Sequence, residues 1–329
     1  MQKACIHAIE YYLPEAILDN ATLAKKFPEF SAEKILAKTG IQTRHVSADD
    51  EFASDMAVQA ATKLFQSEVI TKEQIDFVIF CTQTPDYLLP TSACLIQEQL
   101  ELEQTAGALD INLGCSGYVY GLSVAKGLIE SGQAKNILFL TGDTYTKLIE
   151  PNDKSVKTIF GDAASATLIS AVDSEKDLIS KTAYGSNGAG AKNLCVLGQG
   201  IRSRNEKDAD PFLRMQGPKI FEFTLEVVPQ ALEQVLQKAG EAFSEIDLFV
   251  LHQANAYMLE HLRKKLNIPR EKFWVAMDFC GNTVSSTIPI ALKEAQKHGV
   301  LKGRTKVMLI GFGVGYSWGA TIVNLSNLR

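Results

Sequence analysis

A nine-residue stretch occurs twice in this chain, and its spacing limits the fold more than any other feature: Glu73-Gln-Ile-Asp-Phe-Val-Ile-Phe-Cys81 lies over Ser244-Glu-Ile-Asp-Leu-Phe-Val-Leu-His252 without a gap. Each copy is a short apolar run introduced by Ile-Asp, the pattern of a strand buried on both faces. The elements after each copy also match. In the first half Cys115 precedes a helix at 116–131 and a strand at 136–141; in the second, Asn282 precedes a helix at 286–298 and a strand at 306–311. Both helices stop near a glycine, Gly132 and Gly299. With a further strand at 108–112, the alternation predicts an α/β protein of helix-covered sheets. A repeat about 170 residues apart is too long for a solenoid and predicts two similar halves, 1–171 and 172–329. No linker rich in Pro, Gly or Ser separates them, so one compact body is expected, in which residues of both halves can meet at one site.

Charge and composition narrow the function. A net charge of −5, with no basic run longer than Arg263-Lys264-Lys265, argues against a nucleic-acid face, which needs clustered phosphate-neutralising charge. Apolar residues at 46% and charged residues at 22% exclude a disordered or collagen-like chain. The cysteines at 5, 81, 94, 115, 195 and 280 form no C-x-x-C pair and no zinc-ligand spacing, which predicts free thiols, a reducing compartment and no metal. Glu10 and Pro14 interrupt any signal-peptide core, so a cytoplasmic protein is expected. The uncharged run 307–323 is broken by Gly311, Gly313, Gly315 and Gly319 and reads as strand, tight turn, strand, with no membrane insertion. Asn187-Gly-Ala-Gly190 and 199–210, polar and turn-rich, read as surface excursions.

Four segments can carry chemistry. In Asp110-Ile-Asn-Leu-Gly-Cys115-Ser-Gly117 a buried strand ends in a Gly-Cys turn that opens a long helix. Unpaired N–H groups and the positive end of the helix dipole there favour thiolate, so a lowered thiol pKa is expected. A core cysteine at a tight turn is the alternative, and its partners must decide. His252 ends a predicted strand in Leu251-His-Gln-Ala-Asn255 and projects toward a cleft, although a lone histidine is often structural. Asn282, in Cys280-Gly-Asn-Thr-Val-Ser-Ser286, lies in a turn before a helix, where asparagine also serves as a cap. Gly311-Phe-Gly-Val-Gly-Tyr-Ser-Trp-Gly319 is a glycine-spaced loop whose backbone N–H groups can face an oxyanion.

In this order, Asn112-Leu-Gly-Cys-Ser-Gly117, Phe160-Gly-Asp-Ala163, His252-Gln-Ala-Asn255, Gly281-Asn-Thr283 and the terminal Gly-Phe-Gly-Val-Gly-Tyr-Ser-Trp-Gly-Ala320 resemble the thiolase-like condensing enzymes, and specifically β-ketoacyl-acyl-carrier-protein synthase III, over nearly the whole chain. The resemblance implies a homodimer with a five-layered αβαβα core built from two pseudo-duplicated halves. It also implies an acyl group on Cys115, with His252 and Asn282 completing a triad and the backbone N–H groups of Cys115 and Val314 stabilising the oxyanion. The implied reaction is a decarboxylative Claisen condensation of an acyl-CoA primer with malonyl-acyl carrier protein, without cofactor.

Departures from the family pattern bear on substrates. Lys34 and Lys38 occupy the positions of a tryptophan and an arginine that stack adenine of coenzyme A, and Lys154 that of another arginine, leaving Lys38 and Lys154 as phosphate contacts. Tyr257 replaces an arginine that docks the carrier; docking then falls to Gln253, Ala254, Asn255, Ala256 and Tyr257 with the basic Arg263, Lys264 and Lys265. Val314 places a β-branched side chain beside the acyl pocket, and residues 88–90 line the pocket of a partner subunit by the same resemblance. Two rival readings remain: transfer of the acyl group to an oxygen or nitrogen acceptor in a specialised pathway, and a non-catalytic dimeric partner that keeps the fold.

Overall fold

The computed structural model describes residues 1–205 and 209–329. Strand β1 (Gln2–Tyr12) is followed by a hairpin of β2 (Ala16–Asp19) and β3 (Thr43–Val46) that encloses helices α1 (Asn20–Lys26) and α2 (Ala32–Thr39). Helix α3 (Ala53–Gln66) leads to β4 (Phe77–Cys81), α4 (Ser92–Gln99) to β5 (Gly107–Ile111), α5 (Gly117–Glu130) to β6 (Asn136–Asp143), and the short α6 (Lys154–Lys157) to β7 (Ala163–Asp173). Then come β8 (Ala183–Ser186), the two-residue pair β9 (Leu194–Cys195) and β10 (Arg214–Met215), α7 (Gly217–Ala239), β11 (Leu248–Leu251), α8 (Ala256–Lys265), α9 (Thr287–Lys297), β12 (Lys306–Gly313) and β13 (Ser317–Asn324).

The strands form a five-stranded sheet in the order β1-β7-β6-β4-β5 and a four-stranded sheet in the order β11-β12-β13-β8. Alternation along each strand assigns its two faces. On β4, Val78 and Phe80 pack with α3 and α4, whereas Ile79 and Cys81 face α5 and α9. On β11, Leu248 and Val250 face α5 and α9, whereas Phe249 and Leu251 pack with α7 and α8. Five layers result: α3 and α4, the first sheet, α5 and α9, the second sheet, then α7 and α8. All strands of the first sheet lie within 2–173 and all strands of the second within 183–324.

The repeated Ile-Asp has one physical role in both halves. Asp76 Oδ2 accepts hydrogen bonds from the backbone N–H groups of Lys135 and Asn136, and Asp247 Oδ2 accepts from Thr305 and Lys306, at 3.0 and 2.9 Å. The carboxylate thus clamps the start of the neighbouring parallel strand and fixes its register, Phe77 beside Ile137 and Leu248 beside Val307. A similar brace precedes each copy, Thr71 N–H donating to Gln74 Oε1 and Ala242 N–H to Glu245 Oε2.

The turn 187–190 is exposed at Asn187, Gly188 and Ala189, as a surface excursion is expected to be, and it is anchored at its end: Gly190 is buried against the Tyr316 ring, and Asn187 and Tyr316 exchange two backbone hydrogen bonds of 2.9 Å. The second predicted excursion, 199–210, includes 206–208, which lie outside the described residues.

Candidate active site

The loops that carry the candidate residues converge where the halves meet. Phe160 and Asn282 form an isolated parallel bridge, with Asn282 N–H donating to Ile159 O at 3.0 Å and Gly161 N–H to Asn282 O at 3.1 Å. Such close backbone approach requires Gly281, whose φ of 75° is left-handed and whose Cβ would stand 2.8 Å from Ile159 O. Asp162 anchors the first of these loops by accepting from the N–H and hydroxyl groups of both Ser47 and Thr146.

Cys115, His252 and Asn282 line one cavity of about 780 Å³ whose remaining wall is largely apolar, including Phe160, Leu194, Met215 and Phe312. Cys115 sits two residues ahead of α5, and the backbone N–H groups of Cys115 and Val314 act to lower its thiol pKa. Its thiol does not follow the expectation of a lowered pKa. Burial, and after it the Asp143 carboxylate, push it from an ordinary 9.0 up to about 12. That is roughly 4 kcal/mol against ionisation, more than the ~0.3–2 kcal/mol a helix N-terminus returns. Cys115 therefore rests as the neutral thiol.

His252 follows β11 and is buried, its ring edge-on to Phe312 with 5.4 Å between centroids. Burial pulls its pKa from 6.5 to about 3, so the imidazole is neutral across the working range. Thr287 Oγ1 lies 2.7 Å from His252 Nδ1 and 3.1 Å from Val284 O. Given to Nδ1, the single hydroxyl proton leaves the ring hydrogen on Nε2; given to Val284 O, it calls for the ring hydrogen on Nδ1. Asn282 Oδ1 accepts from Val284 N–H at 2.9 Å, which turns Nδ2 toward His252 Nε2, 3.5 Å away. In the Nε2–H tautomer two N–H groups face the same space, as a carbonyl oxygen would require.

β12 approaches Cys115 so closely that a methyl group on Gly313 would stand 2.9 Å from its Sγ and 2.8 Å from its Cβ. Gly313→Ala is expected to slow acylation of Cys115 by about 10²-fold or more while leaving a folded protein, read by intact mass after mixing with an acyl thioester. Wild-type acylation in that variant would show that the sulfur does not work in this position.

The other predicted residues separate into groups. Lys34, Lys38 and Lys154 line the mouth of the cavity, but Lys154 Nζ is held by Glu29 at 2.5 Å. Val314 is half-buried in the core and does not line the cavity, contrary to expectation; Phe312 and Gly313 do. Of the expected docking residues, Ala254, Asn255 and Tyr257 line the mouth, and Tyr257 is 56% exposed. Asn255 caps α8 by accepting from Met258 N–H, and Ala256 packs on Gly40. Gln253 must be withdrawn as a docking residue. It is 1% exposed, donating to Leu251 O and accepting from Ala276 N–H. Arg263 is also committed elsewhere, bidentate on Glu260 at 2.7 and 2.9 Å with a third bond to Ile268 O. Lys264 and Arg270 share the same carboxylate, and Lys265 is exposed. Residues 88–90 are exposed and line no part of the cavity in this chain.

Sequence reasoning missed Thr287 and Asp143. Thr287 lies five residues after Asn282, inside the helix start, and only the fold brings it to the imidazole. Asp143 left a faint trace as an acid closing an otherwise buried strand. Among the described residues no cluster of three or more His, Cys, Asp or Glu could hold a metal ion, and no helix is long and apolar enough to cross a membrane.

Comparison with known proteins bears on this geometry. Residues 109–188 match the model of the family 3-oxoacyl-[acyl-carrier-protein (ACP)] synthase III, and 236–325 match that of its C-terminal part. The chain is 34% identical to a β-ketoacyl-[acyl-carrier-protein] synthase III of Clostridium perfringens over 99% of this chain and 100% of the other. It is 36% identical to one from Lactococcus lactis, again over 99% of this chain and 100% of the other. A crystal structure of a 3-oxoacyl-(acyl-carrier-protein) synthase III superposes with a TM-score of 0.96 at 50% identity, covering 98% of this chain and 99% of that one.

Proposed function

The chain belongs to the β-ketoacyl-acyl-carrier-protein synthase III family, and on that premise we propose that Cys115, His252 and Asn282 carry its chemistry. The protein is a condensing acyltransferase of fatty acid biosynthesis with a thiolase-like fold, joining an acyl-CoA primer to malonyl-acyl carrier protein. The observation that carries the residue assignment is the convergence of Cys115, His252 and Asn282, from both halves of the chain, on one largely apolar cavity.

The reaction proceeds in two halves. Cys115 Sγ attacks the primer thioester carbonyl; the tetrahedral oxyanion is held by the N–H groups of Cys115 and Val314, and the thiol proton departs with the coenzyme A thiol. The malonyl thioester then places its carbonyl oxygen between His252 Nε2–H and Asn282 Nδ2–H. As the C–CO₂⁻ bond breaks, its electron pair becomes an enolate whose charge falls on that oxygen. The enolate carbon attacks the acyl-Cys115 carbonyl, the C–S bond breaks, and the thiolate takes a proton from solvent. Each step needs only these side chains, so no cofactor enters the scheme.

A homodimer is part of the proposal. Strand β5 is an unpaired edge of the first sheet, Leu109 on it is 39% exposed, and Tyr87, Leu88 and Leu89 beside it are 62%, 63% and 82% exposed. An open edge flanked by apolar side chains favours pairing with a second copy. Its place in the cell is proposed as the cytoplasm, in line with its free thiols.

The test is product analysis. Wild-type protein given acyl-CoA and malonyl-acyl carrier protein should release CO₂ and a β-ketoacyl carrier in equal amounts. An acyl ester or amide formed from an added alcohol or amine, with no malonyl-dependent product, would overturn the proposal in favour of simple acyl transfer.

A further inference from the structure

Asp143 closes β6 with its side chain wholly buried, and among the described residues it is met by hydrogen-bond donors and no cation. Its two oxygens serve different halves of the molecule. Oδ1 accepts from Gln83 N–H at 2.8 Å, and the Gln83 side chain, which accepts from Tyr145 Oη at 2.6 Å, packs so tightly on the nucleophile's turn that a Cβ on Gly114 would stand 2.4 Å from its Oε1. Oδ2 accepts from Ser285 Oγ at 2.5 Å and from Ser285 N–H at 3.3 Å. Ser285 is three residues beyond Asn282, in a turn where Val284 has a φ of 55°, a left-handed conformation that a β-branched residue adopts only under constraint. The constraint is visible: Val284 N–H is held by Asn282 Oδ1 and Ser285 N–H by Asp143.

We propose that Asp143 is a positioning residue, a single carboxylate that ties the turn carrying Cys115 to the turn carrying Asn282 across the seam between the halves and restrains the reactivity of the sulfur. The titratable groups facing this seam are Cys81 on β4, Asp110 on β5, Tyr145 after β6, Asp162 before β7, Cys115 before α5 and His252 after β11. Asp143 opposes ionisation of Cys81, Cys115 and Tyr145 alike. Burial, and more weakly Asp162, raise its own pKa to about 7, so its charge develops near neutral pH.

Two variants separate the charge from the tether. Asp143→Asn keeps the shape and removes the charge; Ser285→Ala keeps the charge and removes one bond to the Asn282 turn. Alkylation by iodoacetamide is followed on the Cys115 peptide as a function of pH, because Cys94 is exposed and reacts independently. Asp143→Asn should displace the curve to lower pH, with alkylation about tenfold faster at a mildly alkaline pH. Ser285→Ala should keep the wild-type curve, yet slow malonyl decarboxylation about tenfold more than acylation. A curve for Asp143→Asn that superimposes on wild type, or equal slowing of both half-reactions in Ser285→Ala, would overturn the proposal. The second arm rests on the acyl-Cys115 reading; alkylation needs no substrate, so failure of that reading and failure of this proposal are distinguishable.

Discussion

Cys115→Ser is expected to take up no measurable acyl group from any thioester donor, a loss on the order of 10⁴-fold or more in acylation rate. Serine fits the space, since it is no larger than cysteine where Gly313 closes on the sulfur, so the folded state should survive with a melting temperature within a few degrees of wild type. The loss is chemical. An alcohol is a far weaker nucleophile than a thiol, and none of Cys81, Cys94 or Cys280 stands in this cavity to substitute for it. Intact-mass spectrometry after mixing with acetyl and longer acyl-CoA reads the effect directly. Acyl transfer persisting in the variant would place the covalent step elsewhere.

His252→Ala divides the two half-reactions. Removing the Nε2–H donor takes away half of what holds the enolate oxygen, and loss of one such donor costs about 10²–10³-fold. Malonyl decarboxylation and condensation should fall by that factor, whereas acylation, whose oxyanion is held by backbone N–H groups, should fall much less. Equal loss of both would contradict the division of roles. The same residue has a pH consequence. The folded-state pKa of His252, about 3, lies below the ordinary 6.5, so neutral His252 contributes stability that is complete above about pH 6.5 and is lost as pH falls toward 3. The variant should therefore unfold less readily than wild type on acidification, relative to its own neutral-pH stability. For the same reason an acid limb of activity near pH 6 would not arise from His252.

Much of the architecture is legible in the chain because the repeated Ile-Asp does a local job that leaves a local trace. Asp76 and Asp247 each clamp the neighbouring strand, and that requirement fixes their identity and the run of apolar residues after them. Gly281, Gly311 and Gly313 are legible for a similar reason: backbone approaches backbone there, and a side chain would collide. The site's electrostatics are not legible in this way. The helix start suggested an acidic thiol, but its ionisation is decided by depth and by Asp143, neither of which is visible at Cys115 in the sequence. Two of the expected docking residues mislead for a related reason. Gln253 and Arg263 look available as polar side chains in the sequence, yet each is committed to partners, Leu251, Ala276 and Glu260, that only the folded chain supplies.

The central claim is that Cys115 holds the acyl group between two chemically distinct steps. It is tested most directly by mixing the protein with acyl-CoA alone, removing excess donor, locating the added mass by peptide analysis, and then adding malonyl-acyl carrier protein. The predicted result is one acyl group per chain on the Cys115 peptide that disappears as β-ketoacyl carrier forms. An acyl group on another residue, or one on Cys115 that stays in place while product accumulates, would contradict the account.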